Sequence, residues 1–253
     1  MTEGPTIEIF GVAFTPLDPG SALAAIERLY DAEAPGFVAH VNAHTLNLAC
    51  SDPGYRATLA RADLVLNDGK GVMIAARLRG RRFPADLNGN FMSPKVLELA
   101  AARGWSVYFL GGRPGIARRA AQRLAQRLPN LDVAGARDGY FPESEDAEVA
   151  AAIGATGASV VMVGLGNPRQ ERWLARRLPE TGARLGIGVG AFLDFQAGTV
   201  PRAPEWMNRA GLEWAHRLAQ EPGRLWRRYL LGHPQFLARV ALEAGRERLA
   251  PRR

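Results

Sequence analysis

Two short polar segments carry the side chains best suited to chemistry. VNAHTLNLA holds Asn42, His44 and Thr45 directly after the apolar run FVAHV, Phe37 to Val41. ADLVLNDGKG holds Asn67 and Asp68 directly after the run from Asp63 to Leu66. Both runs read as strands, and a helical pattern follows each. Asn42 and Asp68 are therefore expected at the carboxyl ends of two strands, the edge at which open α/β sheets bind ligands. A carboxylate there can act as a general base, with Asn42 positioning it or its substrate. Asp is also a favoured N-cap, so Asp68 can equally cap a helix starting near Gly69. Position alone leaves both readings open.

Three glycine-bearing turns are expected on the same edge. The apolar strand Trp105 to Leu110 enters Gly111-Gly112-Arg113-Pro114-Gly115. Such a turn can hold a phosphate on backbone N–H groups and a helix N-terminus, or it can be a tight turn without a ligand. It lacks the nicotinamide fingerprint, because Leu110 stands where the first glycine would be and no acid follows at the expected distance. Ser159 to Val163 enters Gly164-Leu165-Gly166-Asn167-Pro168-Arg169-Gln170-Glu171, with Arg169 and Gln170 expected to face whatever the turn binds. Leu185 to Val189 leads to Gly190 and then Asp194. Between these, Leu131 to Ala136 precedes Asp138-Gly139-Tyr140-Phe141, an aromatic pair that reads as a lid on the core or a platform for a base.

Ile7 to Phe14 reads as one further strand, and Pro19-Gly20-Ser21 opens a helix. Helices are also expected over Val72 to Leu78 and 91–103. The alternation of strands and helices predicts an α/β fold: a mostly parallel, doubly wound, Rossmann-like sheet over residues 1–200. Residues 201–253 are expected to form a basic, amphipathic helical appendage, without which the core still folds. In it Met207, Ala210, Trp214 and Leu218 line one face, and Leu225, Trp226, Tyr229 and Leu230 line the next.

At 253 residues, with 47% hydrophobic and 23% charged residues, the chain has an ordinary globular composition. Cys50 is its single cysteine, which rules out an internal disulfide framework and suits a reducing cytoplasm. The N-terminal segment lacks a basic region followed by an apolar run, so no secretory signal is expected, and no stretch reaches the length of a spanning helix. From Pro201 onward eleven arginines stand against five glutamates, so nearly all of the net charge of +7 sits in the tail. That asymmetry points to an anionic partner. Trp226 and Tyr229 beside Arg224, Arg227 and Arg228 are what a segment lying on an anionic membrane surface needs.

Taken together, VNAHTLNLA, ADLVLNDGKGV, FLGGRPG, DGYF, VGLGNPRQERW, GVGAFLDFQAG and RAPEWMNRAGLEWAHRLAQEPGRLWRRYL resemble the WecG/TagA/CpsF glycosyltransferase family, in order from about Phe37 to Leu230. The resemblance implies an inverting, metal-independent transfer of a sugar, N-acetylmannosamine, its uronic acid or a hexose. The donor would be a UDP-sugar and the acceptor a polyprenyl-pyrophosphate-linked sugar. The protein would work in the cytoplasm, peripherally attached to the inner face of the plasma membrane, without a cofactor. Asp68 would be the general base, with Asn42 and His40 beside it. Gly112, Gly164, Gly166, Gln170 and Asp194 would contact the substrate, and Tyr140 would stack on uracil. Arg217, Arg224, Arg227 and Arg228 would meet donor or lipid phosphates.

The chain departs from the family at His40, where many members have Thr, and in the AHTLN loop, which differs from the PEI type of other branches. Three rival readings rest on residues alone. One is a zinc site from His40 and His44 with Asp68 or Cys50, although structural zinc sites show four clear ligands. Another is a nucleic-acid-binding module using the basic tail, although no recognised motif is present. The third is a nicotinamide-linked oxidoreductase. The resemblance implies no nucleic-acid partner, and the sequence leaves open whether the chain is a homo-oligomer.

Overall fold

A computed structural model of the chain describes residues 6–201, 203–204, 206–207 and 212–249. Its centre is a six-stranded, wholly parallel sheet. The strands are β3 (Gly36–Val41), β4 (Leu64–Asn67), β5 (Ser106–Gly111), β6 (Asp132–Arg137), β7 (Val160–Gly164) and β8 (Leu185–Gly188), in the order β4-β3-β8-β7-β5-β6. Each lies within a residue or so of the expected run. The central strands are apolar almost throughout because helices cover both faces. Phe37, Ala39 and Val41 join one core, Val38, Leu64 and Leu66 the other.

The expected first strand is instead two. β1 (Ile7–Ile9) and β2 (Val12–Phe14) form an antiparallel hairpin in a sheet of their own. Phe10 and Gly11, both at positive φ, make the two-residue turn. This is the conformation that right-twisted strands favour for so short a loop.

Helices α1 (Pro19–Asp31), α2 (Ala43–Ser51), α3 (Pro53–Leu59), α4 (Lys70–Leu78), α5 (Gly89–Arg103), α6 (Ile116–Arg127), α7 (Asp146–Gly154), α8 (Arg169–Arg177) and α9 (Phe192–Ala197) connect the strands. The chain changes its sideways direction beside β3, with β4 on one side and β8, β7, β5 and β6 on the other. That reversal is a topological switch point, and the carboxyl ends of all six strands share its edge.

The tail comprises α10 (Glu213–Gln220), α11 (Pro222–Trp226), a five-residue π-helical turn (Arg227–Leu231) and α12 (Gly232–Leu249). α12 packs on α2 and α4, and its Phe236 and Val240 belong to the same apolar core as Val41 and Leu46. Phe236 meets Phe10 edge to face, with ring centroids 5.9 Å apart. Polar bonds fix the register. The Asn47 side-chain amide donates to the Gly232 carbonyl at 2.7 Å, and Arg239 donates to the Asn47 backbone and side-chain oxygens at 3.1 and 2.9 Å. The expectation that the core folds unaided once everything after Pro201 is removed does not fit this packing, because removal strips apolar side chains from the core itself.

The expected tail stripes also divide. Leu225 and Tyr229 are buried, whereas Trp226, Leu230 and Leu231 are exposed. Leu225 and Tyr229, four residues apart, share the buried face, and Trp226 and Leu230 each lie about 100° further round. Met207, Trp214 and Leu218 are half-buried; Ala210 lies outside the described residues. None of the described helices is long and apolar enough to cross a membrane.

Candidate active site

Asn42 and Asp68 meet at the ends of β3 and β4. Parallel register sets Val41 against Asn67, so the next residues on both strands fall side by side. The Asn42 side-chain amide donates to Asp68 Oδ2 at 3.1 Å. Its own oxygen accepts from the His44 and Thr45 backbone N–H groups at 3.0 and 3.1 Å and from the Thr45 hydroxyl at 3.2 Å. Asn42 is thus the N-cap of α2, which fixes its orientation and leaves its amide hydrogens for the carboxylate. Asp68 caps nothing. The N-cap of α4 is Gly69, at φ 90°, and no side chain caps that helix.

A second carboxylate, not singled out by any motif, holds the same turn. Asp86 Oδ1 accepts from the Gly69 backbone N–H at 2.8 Å. Burial raises its pKa; Gly69, Asn88 and Lys70 oppose this, and the charge of Asp68 adds to it. Beneath them the Asn67 amide donates to the Ala85 carbonyl at 2.8 Å, tying the loop before α5 to β4. His40 lies deeper on β3, almost fully buried, with Nδ1 3.0 Å from the Gly188 carbonyl oxygen of β8.

Next to this pair the strands β5, β7 and β8 end in a layer of glycines. A Cβ on Gly111, where φ is 143°, would lie 2.4 Å from the Gly164 carbonyl oxygen, and one on Gly164 would lie 2.7 Å from that of Gly190. Backbone therefore meets backbone across three strands. The Gly112 N–H donates to the Gly164 carbonyl at 3.3 Å, and the Gly139 N–H to the Gly112 carbonyl at 2.9 Å. Gly166 then turns the chain into α8 through a cis Asn167–Pro168 peptide.

Gln170 and Arg169 are not placed as expected. Gln170 is buried, and its side-chain oxygen accepts from the Gly190 N–H at 3.1 Å. Its amide donates to Glu171 at 2.7 Å, so it braces the turn after β8 from below. Arg169 lies over the Phe141 ring at 4.5 Å and donates to the Phe141 carbonyl. The reason is helical phase: the first turn of α8 packs on β8, and the sequence around a proline does not set that phase.

Glu171 is fully buried and accepts from Tyr55, Asn167 and Gln170. Burial lifts its pKa to about 7, against the pull of these donors. Its proton is therefore held more tightly in the folded chain than at the ordinary value of 4.5. The stabilisation this gives is complete below that value and is lost as pH rises through about 7. We expect the melting temperature of the wild type to fall between about pH 4.5 and 7 and to level off above that, and Glu171→Gln to flatten the slope; thermal melts across this range are the check.

The aromatic pair after β6 divides between core and solvent. Phe141 is buried as a lid, and Tyr140 is 73% exposed. Asp194 lies half-buried in the first turn of α9, whose Phe195 ring is covered by the Arg217 guanidinium at 5.4 Å. Arg228 stands over Tyr229, and Arg227 over the exposed Trp226. The Arg224 side chain lies outside the described residues. The tail packs on α2, and burial, followed by the charges of Arg228 and His233, drives the His44 pKa down to about 4. Among the described residues no three or more His, Cys, Asp or Glu side chains gather as a metal site would require.

The structure thus joins Asp68, Asn42 and Asp86, with His40 beneath them, on the edge that also carries the glycine layer. It is a doubly wound α/β protein whose acid-bearing carboxyl edge is bordered by basic tail residues. The profile of the glycosyl transferase WecG/TagA/CpsF family matches residues 7–250. The chain belongs to that family and is a glycosyltransferase, which sets aside the nucleic-acid and nicotinamide readings. It is similar to two proteins each named N-acetylglucosaminyldiphosphoundecaprenol N-acetyl-beta-D-mannosaminyltransferase. One, from Bacillus spizizenii, is 30% identical over 221 residues, covering 87% of this chain and 84% of the relative. The other, from Bacillus subtilis, is 29% identical over 219 residues, covering 86% and 84%.

Proposed function

We propose that this chain transfers N-acetylmannosamine, or a related sugar such as its uronic acid, from a UDP-sugar to a polyprenyl-pyrophosphate-linked N-acetylglucosamine. The transfer inverts the anomeric centre, needs no metal and takes place at the inner face of the plasma membrane. The names of the two relatives support the acceptor and the sugar. The observation that carries the mechanism is the Asn42–Asp68 bond at the strand ends, with Asp68 free of any capping duty. Asp68 takes the proton of the acceptor hydroxyl as that oxygen attacks the anomeric carbon. Charge developing on the departing UDP is met by N–H groups of the turns at Gly112, Gly164 and Gly166 and by Arg217, Arg224, Arg227 and Arg228. Tyr140 stacks on the uracil ring, Asp194 contacts the donor, and Gln170 braces the Gly190 turn that faces it.

Residues 201–253 form the substrate- and membrane-contacting part of the chain. Exposed Trp226, Leu230, Leu231, Leu237 and Leu242 support this reading, with Arg227 beside them. Burying one leucine in an apolar medium is worth about 1.5–3 kcal/mol. Leu230→Glu with Leu231→Glu is accordingly expected to weaken binding to phosphatidylglycerol-containing vesicles by more than about tenfold. Flotation assays read this directly.

The deciding experiment offers a panel of UDP-sugars with a short-chain lipid-pyrophosphoryl-N-acetylglucosamine acceptor in excess EDTA and reads UDP release. Turnover with a UDP-N-acetylmannosamine-type donor is expected. Turnover that appears only after a divalent cation is restored would remove the metal-independent mechanism.

A further inference from the structure

His40 lies on β3, and Asn42, two residues on, continues past the strand's end in extended backbone, so the two side chains leave the same face of the sheet. His40 is in register with Leu66, which puts Asp68 beside Asn42 on that face, one pleat beyond the imidazole. The Gly188 carbonyl oxygen next to Nδ1 can only accept, so Nδ1 carries the proton and Nε2 presents a bare lone pair. Burial outweighs the Asp68 charge and the Gly188 bond, setting the ring's pKa below its ordinary value and favouring the neutral imidazole. Nε2 is nevertheless sealed from solvent with no hydrogen-bond partner. Leaving a buried acceptor unpaired costs about 1–3 kcal/mol, so an unpaired nitrogen one pleat from a carboxylate calls for an explanation.

The reason Nε2 goes unpaired lies in the chemistry of the neighbour. The charged group acting on the ring is Asp68. An ionised carboxylate has no hydrogen to give, so Asp68 in that form cannot satisfy Nε2. We infer that His40 is a positioning residue for proton transfer, its Nε2 accepting a hydrogen bond from Asp68 only once Asp68 has been protonated. This rests on the reading that Asp68 is the base. In the transfer the acceptor oxygen bonds to the anomeric carbon as the bond from that carbon to the nucleoside diphosphate breaks, its electron pair leaving with the diphosphate. The hydroxyl proton passes to an Asp68 carboxylate oxygen, and the new O–H then donates to Nε2. A bond absent before the reaction and formed during it stabilises the transition state over the ground state, the condition for acceleration. Asn42 donates to the carboxylate, and His40 accepts from the acid formed in the transfer.

The first arm of the test needs the protein alone. In nitrogen-15-histidine-labelled Asp68→Asn, the new side-chain amide stands in for the protonated acid. The His40 Nε2 resonance is expected to move upfield from the bare-nitrogen position it holds in the wild type. The second arm is kinetic. His40→Leu is expected to lower kcat about 10–100-fold with little change in the donor KM, the size of leaving the new Asp68 O–H without its buried acceptor. His40→Gln, whose side chain can still accept, recovers most of that loss. An Nε2 resonance unmoved by Asp68→Asn, or a His40→Leu enzyme with wild-type kcat, would overturn the inference. If the wild type itself transfers no sugar, the proposed function fails, and the resonance comparison still decides whether His40 answers to Asp68. The same comparison decides if His40→Leu does not fold.

Discussion

Asp68→Asn is expected to lower kcat by about 10²–10⁴-fold, the range a positioned general base contributes. The substitution keeps the size of the side chain and an oxygen to accept from Asn42, and Asp68 supports no helix end. The melting temperature and the donor KM should therefore stay close to wild type. That separation matters, since a loss of activity accompanied by unfolding would say nothing about proton transfer. The measurement is UDP release under saturating donor and acceptor, paired with a thermal melt. A variant that keeps wild-type turnover would move the base elsewhere, with Asp86 the nearest alternative carboxylate at this turn.

Phe236→Ala carries the largest expected effect on stability. The ring is 1% exposed, meets Phe10 edge to face and lies against Gly71 in the first turn of α4. Removing such a ring from a core costs about 3–5 kcal/mol. For a chain of this size the melting temperature should drop by roughly 10 °C. A melting temperature equal to wild type would mean that α12 does not dock on α2 and α4 in solution. The comparison with Leu242→Ala, an exposed position on the same helix, isolates the docked face. That variant should melt with the wild type.

The polar knot at Asn42 and the NDG at Asp68 were legible because each follows a short apolar run directly, and parallel strands end on one edge. The pairing of the two followed from topology that alternation alone implied. Asp86 was not legible. It reaches Gly69 across a loop, and nothing in RRFPADLNG gives the path of that loop. The turn that carries Gln170 was legible and the direction of its side chain was not, because spacing fixes a helix's period but not its phase against the sheet. The hairpin at Ile7–Phe14 did leave a signal in Phe10-Gly11, outweighed by the continuous β-forming character around it. In the tail, composition made the arginines conspicuous and hid Phe236 and Val240. Their burial depends on α12 meeting α2 through Asn47, a contact between residues 185 and 192 positions apart.

The backbone-on-backbone layer at Gly111, Gly164 and Gly190 has a bearing on how such an enzyme diversifies. In the proposed function this surface of peptide groups is indifferent to the decoration of a sugar ring, and side chains cannot replace its glycines without the three strands colliding. Selection for a new sugar must therefore act through neighbouring loops, such as 79–88 and 138–141. A mutagenesis library confined to those loops, with Asp86 and Gly139 kept, would test whether substrate preference moves while the glycine layer stays unchanged.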